Sequence, residues 1–141
     1  MAALMFAVAR LITIALCAAI LAGGAGWAVA APAIGGCNTA ACEQRVKARA
    51  LQHRYQLAWR AAPSAVRAHL RRIAMCESTN NERAISPDGR YRGLLQFWTP
   101  TWQAMGGRRD PAAATRWEQW ARGVRLYQSA GPGQWPVCQF R

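Results

Sequence analysis

Of the six acidic residues in this chain, four have an evident structural use. Glu43 opens a basic helical stretch, Asp110 and Glu118 stand where helix caps are expected, and Asp88 sits in the turn Ser86-Pro87-Asp88-Gly89. Glu82 lies in the same turn-rich region. Glu77 differs, because it follows Cys76 at the end of an apolar helical stripe and precedes a segment rich in Trp, Tyr and Phe. A carboxyl group placed there loses hydration, which favours its neutral form and moves its pKa toward the range of a general acid. The plainer alternative is a solvated glutamate at a helix end, and position alone favours it. His53 and His69 fall on basic helical faces with no acid partner in view and are expected at the surface. No C-x-x-C pair and no H-E-x-x-H occur, so neither zinc nor any other metal or cofactor is called for.

The elements around Glu77 can be read from periodicity and punctuation. Residues 43–62 form a basic amphipathic helix, with Val46, Ala50, Leu51, Leu57, Ala58 and Trp59 among many arginines. Pro63 interrupts it and suits the first turn of a second helix, 64–76, whose buried stripe is Val66, Leu70, Ile73 and Ala74. The polar run 77–81 ends that helix, and residues 90–97 suit a short strand or hairpin. Thr99-Pro100 reads as an N-cap followed by proline, opening a short helix that stops at Gly106-Gly107. A last helix begins at the capping box Thr115-x-x-Glu118 and ends at Gly131-Pro132-Gly133. The expected fold is mainly α with a small β element.

The first thirty residues are expected to lie outside that domain. A single charge, Arg10, precedes the apolar run 11–22, and Ala28-Val29-Ala30 offers small residues at a cleavage site. This is the pattern of a secretory signal peptide cleaved after Ala30; an uncleaved anchor is the alternative, disfavoured by three glycines that shorten the apolar run. Residues 31–42 read as a small, polar linker. Cys17 leaves with the signal peptide, and the remaining Cys37, Cys42, Cys76 and Cys138 are expected to form two disulfides in an oxidising compartment. Three pairings are possible, of which Cys37–Cys42 and Cys76–Cys138 are preferred. Ile34-Gly35-Gly36-Cys37 also resembles a lipobox, which would put a lipid on Cys37 instead. Without Arg10 the chain carries 17 basic residues against six acids, a net charge of +11. Outside the cell such a charge is drawn to anionic wall polymers or lipid headgroups, and nucleic acid is not an expected partner. The helix 43–62 is then either a solvated basic face or a salt-sensitive wall contact.

Glu77-Ser78 is followed by Asn81, Ala84, Ser86, Gly89 and Gly93-Leu94-Leu95-Gln96. This resembles the E-S-x-x-N-x-x-A-x-S-x-x-G…G-L-M-Q signature of lytic transglycosylases of the lysozyme superfamily, with one extra residue between the two glycines. Cys76-Glu77-Ser78, Tyr91 to Phe97, Thr101-Trp102 and Trp135-Pro136-Val137-Cys138 further resemble the domain of resuscitation-promoting factors. The resemblance implies a lysozyme-like domain over 63–141, stapled by a disulfide, with a glycan cleft. It departs at Leu94, where that family has a second glycine, and at Asn80-Asn81 in place of glycines; both departures are expected to touch the cleft wall.

The resemblance implies an exported peptidoglycan-cleaving enzyme in which Glu77 is the catalytic acid and base. Gln96 and Thr101 would bind sugar from the cleft, and Tyr91, Trp98 and Trp135 would stack on pyranose faces, while Trp102, Trp117 and Trp120 are read as core. Hydrolases use a second carboxylate; only Glu82 and Asp88 lie near Glu77 in sequence, which favours transglycosylation over a muramidase-type hydrolase. The competing readings are a glycan-binding or signalling module with little turnover, and a basic wall- or membrane-binding protein. The expected partner is the glycan strand, with the protein monomeric, secreted to the cell wall and touching membrane only through its signal segment.

Overall fold

The computed structural model describes residues 39–141. The signal peptide over 1–30, most of the 31–42 linker and Cys37 lie outside the described residues. Among those described, no helix is long and apolar enough to cross a membrane.

Helix α1 (Ala40–Ala61) opens on Thr39, whose side chain accepts from the Cys42 backbone N–H at 3.2 Å. That cap starts the helix three residues before the expected Glu43. It ends where Ala62 turns extended, the conformation that the following proline imposes on its predecessor. One face of α1 packs on the last helix, α4 (Arg116–Ala130). Trp59 lies 4.6 Å, ring to ring, from Trp120, and Gln52 accepts from Thr115 Oγ1 at 2.7 Å. Trp59 and Ala62 belong to the core, so α1 packs as part of the same compact unit as the rest, and packing does not break at residue 62.

Helix α2 (Ser64–Ser78) buries Leu70, Ile73, Ala74 and Ser78. It runs two residues past the expected Cys76, which puts Glu77 inside its last turn. It closes through two residues in the left-handed region, Thr79 (φ 51°) and Asn80 (φ 62°), whose N–H groups reach back to Met75 and Ala74 carbonyls. A two-stranded antiparallel hairpin follows, β1 (Tyr91–Arg92) with β2 (Phe97–Trp98), registered Tyr91 to Trp98 and Arg92 to Phe97.

Helix α3 (Thr99–Ala104) begins one residue earlier than expected: Trp98 occupies the cap position, without a side-chain bond, and Thr99 is already helical. Its C-terminal side fits closely. A Cβ on Gly107 would come within 2.1 Å of Trp102 Nε1. A 3-10 turn, Pro111–Ala113, is capped by Asp110, and α4 by Thr115. Only the Thr115 half of the expected capping box forms, because the Glu118 carboxylate turns to Tyr55 and Arg122. Two short 3-10 turns, Pro132–Gln134 and Cys138–Phe140, return the chain to α2, where Cys138 is bonded to Cys76 across 62 residues. The result is the expected mainly helical domain with a small β element and a disulfide staple.

Candidate active site

Glu77 projects from the last turn of α2, and the next residue points the other way. Ser78 is buried, with its Oγ 2.8 Å from the Leu94 carbonyl oxygen and 3.0 Å from that of Ala74. One hydroxyl proton shared between these acceptors ties the helix end to the turn joining β1 and β2. The same turn is held from behind by Gln119 of α4, which is fully buried. Its Oε1 accepts from Leu94 N–H at 2.7 Å, and its Nε2 donates to the Glu82 and Ala114 carbonyls, each at 3.0 Å. Gly93 lets the two meet: a Cβ there would fall 2.4 Å from Gln119 Oε1, on a backbone with φ 82°. Arg116 completes the frame by donating to Glu82 Oε2 at 3.0 Å and to the Asn80 carbonyl at 2.8 Å. The polar loop after Glu77 is therefore fixed by α4, a segment more than thirty residues away in sequence.

Electrostatics single out Glu77 further. The other five acids of residues 39–141 each face a base: Glu43 with Lys47, Glu82 with Arg116, Asp88 with Arg90, Asp110 with Arg92, Glu118 with Arg122. The Glu77 carboxylate has no ion pair or hydrogen bond among the described residues. It is half-buried, and loss of hydration alone pushes its pKa above the ordinary glutamate value. In contrast, hydrogen bonds from Ser86 and the Arg90 backbone hold Asp88 below the ordinary aspartate value. Among residues 39–141, Glu77 is thus the one acid side chain without a base beside it, and the rest are neutralised in pairs.

The five residues expected to bind substrate line one cavity of ≈ 190 Å³: Tyr91, Gln96, Trp98, Thr101 and Trp135. Tyr91 and Trp98 are exposed cross-strand partners, so their rings stand on one face of the hairpin. Trp135 is different. It is 4 % exposed and donates Nε1–H to the Leu95 carbonyl at 2.8 Å, so it forms the cavity's packed wall rather than an open stacking face. Gln96 also differs from expectation, because its amide donates to the Gly93 carbonyl at 2.9 Å, leaving Oε1 as the group free for a ligand. Leu94 is fully buried in the core, so the side chain that departs from the family pattern does not wall the cleft. Trp102 and Trp120 are core, and Trp117 packs against it.

Sequence reading missed three positioning residues, Ser78, Gln119 and Arg116, and misplaced His69. That ring is half-buried, with Nε2 2.6 Å from the Gln139 carbonyl oxygen and Nδ1 2.8 Å from Tyr127 Oη. The carbonyl can only accept, so Nε2 donates. The one visible signal for Gln119 was a polar residue beside Trp120, on the apolar side of an amphipathic helix. Among the described residues, no three His, Cys, Asp or Glu side chains cluster to hold a metal ion.

The profile of the transglycosylase-like domain matches residues 64–138. Resuscitation-promoting factor RpfC of Mycobacterium tuberculosis is 44 % identical over 66 residues, covering 47 % of this chain and 46 % of that protein. Resuscitation-promoting factor Rpf of Micrococcus luteus is 39 % identical over 67 residues, 48 % of this chain and 30 % of the relative. A probable transglycosylase, SceD, of Staphylococcus aureus is 36 % identical over 74 residues, 50 % and 32 % of the two chains. The match spans less than half the length of each of these relatives.

Proposed function

The chain belongs to the transglycosylase-like domain family, and from that premise we propose that it is an exported lytic transglycosylase of peptidoglycan with Glu77 as its single catalytic group. The Glu77 carboxylic acid protonates the oxygen of the β-1,4 bond between N-acetylmuramic acid and N-acetylglucosamine. As the C1–O bond breaks, the anomeric centre gains oxocarbenium character. The carboxylate left behind takes the proton of the muramyl 6-hydroxyl, whose oxygen bonds to C1 and closes a 1,6-anhydro ring. Glu77 ends protonated, as it began. No cofactor enters, and the substrate supplies its own nucleophile.

The observation that carries this reading is the isolation of Glu77. It is the one described acid whose pKa desolvation raises above the ordinary value, and every other described carboxylate is held by a guanidinium or ammonium. A hydrolase would need a second carboxylate to attack or to activate water, and Arg-paired Glu82 or Asp88 suits neither task. Tyr91 and Trp98 would stack on the sugars and Thr101 would bond to them, with Gln96 accepting from a sugar hydroxyl. The outer arginines of α1, Arg45 and Arg49 among them, would hold the enzyme, as a monomer, against anionic wall polymers. Mass spectrometry of muropeptides released from purified peptidoglycan tests the chemistry directly. Anhydro-muramyl ends are expected with the wild type and none with Glu77→Gln. Reducing ends from the wild type, or equal release by both proteins, would overturn it.

A further inference from the structure

Where α1 packs on α4, the two helices leave a groove of ≈ 530 Å³ that shares no lining residue with the Tyr91–Trp135 cavity. Small side chains, including Ala58 and Ala121, keep it open, and Tyr55 lies beside them. Three arginines line it: Arg54 from α1, and Arg122 and Arg125 from α4. Arg122 is already committed, donating to Glu118, to Tyr55 Oη and to the Met105 carbonyl. Arg54 and Arg125 are exposed, and neither has an ion pair or hydrogen bond among the described residues. Two uncommitted guanidinium groups, one from each helix, therefore border an alanine-lined groove.

We propose that this groove binds a short peptide carrying free carboxylates and at least one methyl side chain. A guanidinium presents a planar fork of donors that matches a carboxylate bidentately, and two such forks on different helices fit two carboxylates of one ligand. Ala58 and Ala121 give the lining small apolar contacts suited to a methyl group of the ligand. The volume suits a ligand of a few residues, since sites for small ligands run from about 300 to 1,000 Å³. A long polyanion would instead be served by the open outer arginines of α1. The inference rests on the peptidoglycan reading of the cleft, because the glycan strands of that substrate carry short, carboxylate-bearing peptides. Binding one would hold the strand at a second point, away from the bond being cut.

The test is a titration of the isotope-labelled protein with the free tripeptide L-Ala–γ-D-Glu–meso-diaminopimelate at physiological ionic strength. Saturable binding is expected, with shifts around Ala58 and Ala121, and at least about tenfold weaker binding in Arg54→Glu/Arg125→Glu. Both side chains are exposed, and near-UV circular dichroism checks that the variant keeps its fold. The variant is expected to cut peptide-free glycan strands at the wild-type rate and to lose about tenfold on peptide-bearing strands at limiting substrate. No saturable binding, shifts confined to Tyr91 and Trp98, or equally tight competition by polyphosphate would each overturn the proposal. Peptide binding is read without any bond being cut, so failure of the transglycosylase reading and failure of this one are separately visible.

Discussion

The Ser78 hydroxyl lies 2.8 Å from the Leu94 carbonyl oxygen, and through it the last turn of α2 is joined to the turn of the hairpin. Glu77 and Ser78 divide their work by helical geometry: neighbours on a helix face different ways, so the acid looks toward solvent while the hydroxyl anchors the helix inside. Ser78→Ala leaves a buried carbonyl with no donor from this side. It is expected to lower stability by about 1–3 kcal/mol, measured by urea denaturation. Cleavage should fall further than stability alone explains, since the turn carrying Glu77 would loosen. Ser78→Thr, which restores a hydroxyl, should recover part of both.

Gln119 and Gly93 are coupled by contact. Gly93→Ala puts a methyl group within 2.4 Å of Gln119 Oε1 and forces alanine to φ 82°. The strain of a non-glycine residue in that region alone costs about 1–3 kcal/mol, so a total loss above that range is expected, seen as a lowered Tm. Gln119→Ala removes the clash partner but also strands the Leu94 N–H and the Glu82 carbonyl. The double variant should therefore be more stable than the sum of the single losses implies, which a double-mutant cycle measures.

Much of this frame was legible in the sequence because its cues are local. Leu70, Ile73 and Ala74 recur at helical spacing and Thr115 caps α4; the bond between Cys76 and Cys138 is the preferred one of the pairings that four cysteines allow. Tyr91, Gln96, Trp98, Thr101 and Trp135 do line one cavity. What stayed hidden depends on long-range partners. The inner face of α1 includes Gln52, Tyr55 and Trp59, a mix of polar and aromatic side chains that no apolar period marks. Gln119 acts on backbone groups at positions 82, 94 and 114, which no periodicity announces. Trp135 reads as a sugar platform until its indole is found bonded to Leu95.

The raised pKa of Glu77 makes stability depend on pH in a definite direction. Its folded pKa lies above its unfolded one, so the folded state binds a proton more readily. The stabilising contribution is complete below the ordinary glutamate pKa and is lost as pH rises through the folded value. Glu77→Gln keeps the shape without the charge. Its Tm should equal that of the wild type in acid and exceed it at neutral pH, in thermal melts across that window. A wild type that gains on the variant with rising pH would mean the carboxylate is stabilised by a partner. Turnover should fall on the same rise, as the acid form is depleted.

Trp98 and Trp135 line one cavity but should respond in opposite ways. Trp98 is 52 % exposed and lies outside the buried core cluster. Trp98→Ala is expected to leave Tm nearly unchanged, within about 0.5 kcal/mol of stability, and to raise KM for glycan strands. Trp135 is buried and its Nε1–H satisfies the Leu95 carbonyl. Trp135→Ala opens a cavity, strands that carbonyl and detaches the segment leading to Cys138, so a loss of about 3–5 kcal/mol is expected. Trp135→Phe separates the two losses: it fills most of the space but cannot donate, so the shortfall that remains reports the hydrogen bond and the residual cavity. Glycan affinity of the folded Trp135→Phe protein should stay close to that of the wild type. Weakened binding at unchanged stability would show the ring to be a sugar contact after all.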